Sequence, residues 1–103
     1  MKYPTPLTEH FGRQLWRLRR RAYLSQDDLA RLLDLHRTEI SQLERGLRDP
    51  RLDTILKLAA GMEVSPCDLI GGLRWRPGSL EPATGAYADG DGGRTLRRKV
   101  GSQ

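Results

Sequence analysis

Apolar residues recur at helical spacing through the first two thirds of the chain. Phe11, Leu15, Leu18 and Ala22 fall three and four apart, predicting a helix over about residues 9–22 with Thr8 as its N-cap. Leu29, Leu32 and Leu33 repeat the pattern after Ser25, whose side chain can cap the Asp28 N–H while Asp27 and Asp28 complement the positive helix end. Leu24 and Leu29 are placed to form a hydrophobic staple. Ile40 and Leu43 mark a third, short helix from about Arg37 to Arg45, with His36 as cap, Glu39 at N3 and Gly46 as its stop. Leu52, Ile55, Leu58, Ala59 and Met62 predict a fourth helix over about 52–62, in which Gly61 is a defect of about 1 kcal/mol against Ala. Ser65-Pro66-Cys67-Asp68 starts a fifth: Ser65 caps, Pro66 takes N1, and Val64 with Leu69 repeats the staple. The pattern is all-α.

The turn between the second and third helices has two legible residues. Asp34 tolerates the left-handed conformation that a tight turn needs, and Leu35 is a lone apolar residue suited to plug the gap between the helices. With Ile40 and Leu43 inward, Arg37, Thr38, Ser41, Gln42 and Arg45 face outward. Those residue types suit a DNA major groove. Arg pairs bidentately with guanine and Gln with adenine, Ser and Thr reach either, and a terminal Arg holds phosphate. An ordinary solvated helix face is the competing reading. Arg48 and Arg51, in the loop that Pro50 keeps out of the helix, are further phosphate candidates.

Composition narrows the partner. The 103 residues carry a formal net charge of +5, which suits a polyanion. Five arginines crowd residues 13–21; one or two are phosphate candidates and the rest are expected to be solvated or paired with Glu and Asp. Trp16 lies off the apolar stripe, at a core edge or subunit interface. One cysteine, Cys67, makes no internal disulfide and reads as a packing or surface thiol. There is no metal-ligand spacing and no catalytic arrangement; His10 and His36 stand near helix starts with no evident partner. No enzyme, cofactor or metal is therefore expected. No signal segment or membrane-length apolar run is present, so the expected location is the cytoplasm.

Eight of the eleven glycines lie at or after Gly71, which divides the chain into an extended arm over 1–7, a domain over 8–72 and an extension over 73–103. Lys2 and Tyr3 in the arm are weak candidates for a DNA contact. In the extension, Leu73 and Trp75 alternate with Arg74 and Arg76, as in a short strand, before the Pro77-Gly78 turn signal. Residues 77–93 read as a flexible linker whose DGDGG lacks the remaining ligands of a calcium loop, and RTLRRK at 94–99 is a basic run.

The words LSQDDLARLL, LHRTEISQLERG and DPRLDTILKLAAGMEVSPCDL, in this order and spacing, resemble the Cro/lambda-repressor-like helix-turn-helix family over residues 11–70. The resemblance implies a five-helix DNA-binding domain with its helix-turn-helix at helices two and three, working as a homodimer on a pseudo-palindromic operator of double-stranded DNA. By position, Gln26 matches a glutamine that contacts phosphate and buttresses the recognition helix. Arg37, Thr38, Ser41 and Gln42 match positions facing bases or nearby phosphates, and Arg45 a position that meets phosphate. The family commonly has Gly where Asp34 and Glu63 stand, and Ser or Thr where His36 stands. A transcriptional regulator, most simply a repressor, is the leading expectation. An antitoxin, using the extension to hold a protein partner, and a restriction–modification controller are the alternatives. By analogy with relatives, helix five and Trp75 are the expected dimer surface.

Overall fold

The computed structural model describes residues 3–75 and the backbone of residues 87 and 88. Five helices occupy most of that span: α1 (Pro6–Arg21), α2 (Gln26–Leu33), α3 (Arg37–Glu44), α4 (Leu52–Met62) and α5 (Pro66–Ile70). A two-residue strand β1 (Arg74–Trp75) pairs antiparallel with β2 (Tyr87–Ala88), Arg74 opposite Ala88 and Trp75 opposite Tyr87. The alternation at 73–76 thus yields a strand. The calcium-loop fragment, the basic run at 94–99 and Lys2 lie outside the described residues, as does the expected linker over 77–93 except at Tyr87 and Ala88, which form a strand rather than linker.

The first helix starts earlier than its apolar stripe suggests. Thr5, not Thr8, is the N-cap, and Pro6 takes N1, where its missing N–H costs nothing. Thr8 is at N3: its N–H donates to Thr5 Oγ1 at 3.2 Å, and the Thr5 N–H donates to Thr8 Oγ1 at 2.8 Å. Two hydroxyl residues at capping-box spacing compete for the cap, and the proline decides between them. At α2 the Ser25 hydroxyl accepts the Asp28 N–H at 2.9 Å, and the Ser25 N–H donates back to Asp28 Oδ2 at 3.1 Å. Hydrogen bonds that the Asp28 carboxylate accepts from the Ser25 backbone and side chain, then one from Arg31, hold it below the usual carboxylate range.

α1 to α4 all stop the same way. Tyr23 (φ 59°), Asp34 (φ 57°), Gly46 (φ 76°) and Glu63 (φ 59°) each adopt the left-handed conformation just past a helix. The next residue of each, Leu24, Leu35, Leu47 and Val64, returns its N–H to a carbonyl in the last turn: Arg19, Ala30, Gln42 and Ala59, at 2.8–3.2 Å. Each of these apolar residues is half-buried, so the cap also aims a hydrophobe at the layer beneath. Three of the four stops use a side-chain-bearing residue at a strain of roughly 1–2 kcal/mol. Tyr23 is 93% exposed, so Tyr23→Gly loses almost no packing. That substitution is expected to raise stability by about 1 kcal/mol, read as a higher midpoint in urea unfolding.

The core is one cluster drawn from every helix: Phe11, Leu15, Leu18, Leu29, Ala30, Ile40, Leu43, Leu58, Ala59, Met62 and Leu69. Leu33 and Ile55 pack against it half-buried, and two predicted core positions are exposed instead. Leu32 is 60% exposed and Leu52 75% exposed. Leu32 points about 100° away from the mean direction of Leu29, Ala30 and Leu33, and Leu52 about 120° from Leu58, at 3.6 residues per turn. Thr54 is buried in the first turn of α4 instead. Gly61 is not a simple defect. A Cβ there would stand 2.9 Å from Leu33 Cδ2 and 3.3 Å from Leu29 Cδ1, so its absence lets α2 lie against α4. His10, expected to have no partner, is buried, and its Nε2 donates to the Gly71 carbonyl at 2.8 Å, tying α1 to the end of α5.

Candidate nucleic-acid interface

α3 is short and offers the core only Ile40 and Leu43. Its position is fixed by what grips its far end. Gly12 of α1 is the first element: a Cβ there would lie 2.5 Å from the Glu44 carbonyl oxygen and 2.7 Å from that of Leu43. Only a residue without a side chain lets α1 run against the last turn of α3. The second element is a buried charge pair. Arg19 of α1 meets Glu44 through Nε to Oε2 and through Nη2 to Oε1 at 3.1 Å, with side-chain exposures of 10% and 4%. Arg19 Nη1 also donates to the Leu24 carbonyl at 2.9 Å, and Gln26 Nε2 to Glu44 Oε1 at 2.9 Å. One carboxylate therefore joins α1, the first residue of α2 and the last of α3. Among the described side chains, no buried polar atom lacks a hydrogen-bond partner.

This grip was legible only as an anomaly. Arg19 follows Leu15 by four residues, and Glu44 follows Ile40 by four, so both charges sit on apolar stripes. Two opposite charges, each out of place on a buried face, imply a pair. The outward face follows from the same phase. Arg37, Thr38 and Arg45 are exposed, and Ser41 and Gln42 are half-buried beside them. Gln42 and Arg48 meet: Gln42 Oε1 accepts from Arg48 Nε at 3.0 Å and Nη2 at 2.7 Å. Arg37 Nε lies 3.6 Å from Asp27 Oδ1, both groups well exposed. Arg45, the C-cap of α3, donates from Nε to the Ser41 carbonyl at 3.4 Å. Arg51, the N-cap residue of α4, pairs with Asp53 at 3.3 Å. Gln26, Arg37, Thr38, Ser41, Gln42, Arg45, Arg48 and Arg51 thus come from α2, α3 and the loop that follows α3, with the Gln26 amide directed to Glu44.

The remaining candidates behave otherwise. Trp16 is half-exposed and shares a shallow hollow with Gly12, Arg13, Arg17 and Glu44; the Arg20 guanidinium lies 4.9 Å from its ring centroid. Cys67 is exposed. No group of three or more His, Cys, Asp or Glu among the described residues could hold a metal ion, and no described helix is long and apolar enough to cross a membrane.

α2, a three-residue turn and α3, braced by α1 and α4, form two helices of eight residues each with the second helix's polar face outward. A sequence model of the helix-turn-helix family matches residues 17–69, just over half the chain. The chain belongs to the helix-turn-helix family. This helix-turn-helix protein is 43% identical over 61 residues to control protein C.BamHI of Bacillus amyloliquefaciens, covering 58% of this chain and 75% of that one. It is also similar to the crystal structure of the restriction-modification controller protein C.AhdI from Aeromonas hydrophila. That match has 40% identity and a TM-score of 0.59, and covers 60% of this chain and 94% of that one. A third similarity is to a transcriptional regulator of the same family from Vibrio cholerae, at 32% identity and a TM-score of 0.59, over 61% of this chain and 35% of that one. The matched span holds α2 to α4, the last five residues of α1 and the first four of α5. The Cro/lambda-repressor-like resemblance and the five-helix fold expected from sequence are both borne out.

Proposed function

We propose that this chain is a transcriptional regulator that binds double-stranded DNA as a homodimer, with α3 in the major groove of a pseudo-palindromic operator. One observation carries the reading: α3 is clamped at Glu44 by α1 and α2, while the face turned away from Ile40 and Leu43 presents arginine, threonine, serine and glutamine to solvent. A reading helix must be held rigidly and must display donors and acceptors, and this one does both. In this reading Arg37, Thr38, Ser41 and Gln42 face bases or adjacent phosphates. Arg45, Arg48, Arg51 and the Gln26 end of α2 face the backbone. Selection of bound sequences from a random duplex library at physiological salt tests it. The expected product is a motif with half-site centres about one helical turn, ~34 Å, apart. Salt-sensitive binding with no enriched motif would refute sequence reading.

Among regulators, a restriction–modification controller is favoured over a plain repressor by two named similarities, to C.BamHI at 43% and C.AhdI at 40% identity. A genomic neighbourhood without restriction and methylation genes would count against it. The antitoxin reading relied on residues 73–103, most of which lie outside the described residues.

Arg37→Ala is expected to weaken binding to the selected operator by roughly 1–3 kcal/mol and to relax preference at one position of each half-site. Titration against operator and scrambled duplexes checks this, because an equal loss on both would make Arg37 a phosphate contact only. For the dimer surface, Leu69 is unsuitable because it is fully buried in the core. Ile70 and Trp75, at 42% and 56% exposure, are the accessible apolar residues near that end.

A further inference from the structure

We propose that Gln42 reads DNA as a hydrogen-bond donor only, because Arg48 holds its carbonyl oxygen, and that the pair selects guanine over adenine at the base Gln42 faces. The inference rests on the DNA-reading role proposed above for α3. Gln42 Oε1 accepts from both Arg48 Nε, at 3.0 Å, and Arg48 Nη2, at 2.7 Å. A guanidinium has no acceptor, so the amide must turn its oxygen toward it; the chemistry of the partner fixes which way the amide lies. Both oxygen lone pairs are then engaged, and Gln42 keeps only the two N–H groups of Nε2 for a ligand.

The bracing is built into the loop. Gly46, at φ 76°, turns the chain after α3 so that Leu47 bonds back to the Gln42 carbonyl at 2.9 Å, and the next residue is Arg48. Arg48 Nη1 lies 4.0 Å from Glu39 Oε2, three residues before Gln42 on the same helix. The guanidinium therefore stands between a carboxylate and an amide oxygen, both on α3.

A free glutamine pairs with adenine by accepting from N6 and donating to N7. With its oxygen engaged, Gln42 cannot make the accepting half, and the adenine amino group would face another donor. Guanine presents N7 and O6, both acceptors, in the same place. Thymine offers one acceptor, O4, and cytosine offers the N4 donor alone. The order expected at this base is guanine first, thymine next, with adenine and cytosine disfavoured.

The test is duplex-library selection on the full-length protein at fixed salt, comparing wild type, Gln42→Ala and Arg48→Ala. The base read by Gln42 is the position whose preference flattens in Gln42→Ala. The wild type is expected to favour guanine over adenine there by about tenfold. Arg48→Ala frees the amide oxygen, so the preference should move to adenine by a similar factor, although Arg48 itself does not touch that base. Gln42→Glu keeps the Arg48 partnership but has no donor, and should exchange guanine for cytosine at the same position. Adenine favoured by the wild type, a guanine preference unchanged in Arg48→Ala or Gln42→Glu, or no position flattened by Gln42→Ala would each overturn the inference and leave DNA reading intact. No enriched motif for the wild type would overturn the DNA-reading function itself.

Discussion

Glu44→Ala is expected to lower the folding stability of the domain by about 3–5 kcal/mol, because it leaves the Arg19 guanidinium buried without its carboxylate. Arg19 and Glu44 have side-chain exposures of 10% and 4%, so water cannot replace the lost partner as it would at a surface. The loss is large against a typical total of about 5–15 kcal/mol. A conservative Glu44→Gln keeps the shape and one acceptor oxygen and should fall between the two. The double variant Arg19→Met/Glu44→Leu is expected to recover much of the stability, since apolar residues of similar volume remove both desolvation penalties together. Urea unfolding of these variants checks the order, and adding the single variants Arg19→Met and Glu44→Leu to wild type and the double variant closes a cycle. A loss under about 1 kcal/mol for Glu44→Ala would mean the pair behaves as an exposed one. The consequence for function is separable. The double variant lacks the carboxylate that receives Gln26 Nε2, so a stable protein with weakened operator binding would show that Glu44 also places the start of α2.

The local devices were legible in the sequence, and the long-range ones were not. Ser25 with Asp28, Ser65 with Pro66, and the left-handed Asp34 all follow from a residue's own chemistry and that of near neighbours, so spacing alone finds them. Even there, α1 was ambiguous: Thr5 and Thr8 both suit a cap, and Pro6 had to be weighed as N1 rather than as part of an extended arm. The apolar period found the faces of α1 and α3. It erred at Leu32 and Leu52, where a short helix has leucine on more than one side and only packing decides which is buried. His10 and Gly71 are 61 residues apart, a separation at which no periodicity signals a contact, and for Arg19 and Glu44, 25 apart, the apolar stripes mark each charge as needing a partner without naming which. Gly12 is a single residue whose role depends on which backbone crosses it. At the candidate interface, residue types and outward phase were legible from the stripe of Ile40 and Leu43. The pairing of Gln42 with Arg48 was not, because the turn at Gly46 sets it.

Operator binding is expected to fall on the order of ten-thousandfold when monovalent salt rises from about 50 to about 200 mM, the behaviour of a dimer that neutralises about eight phosphates, with a log–log slope near −7. Four phosphates fall to each protomer: one each at Arg45, Arg48 and Arg51, and one at the arginine cluster over residues 13–21. The acidic partners of these cations do not prevent it. Arg51 and Asp53 have side-chain exposures of 82% and 58%, so their pair contributes little and yields readily to a phosphate. The chain's net charge of +5 adds attraction at long range, which shortens the search for DNA without specifying a site. Arg51→Ala should then reduce the slope by about two per dimer and weaken operator and random DNA alike, since a phosphate contact carries no base information. Arg37→Ala should do the reverse, changing preference more than slope. A slope near zero for the wild type would remove the electrostatic half of the proposed function. An Arg51→Ala variant with unchanged slope would remove Arg51 from the interface and move the backbone contacts elsewhere on the basic surface.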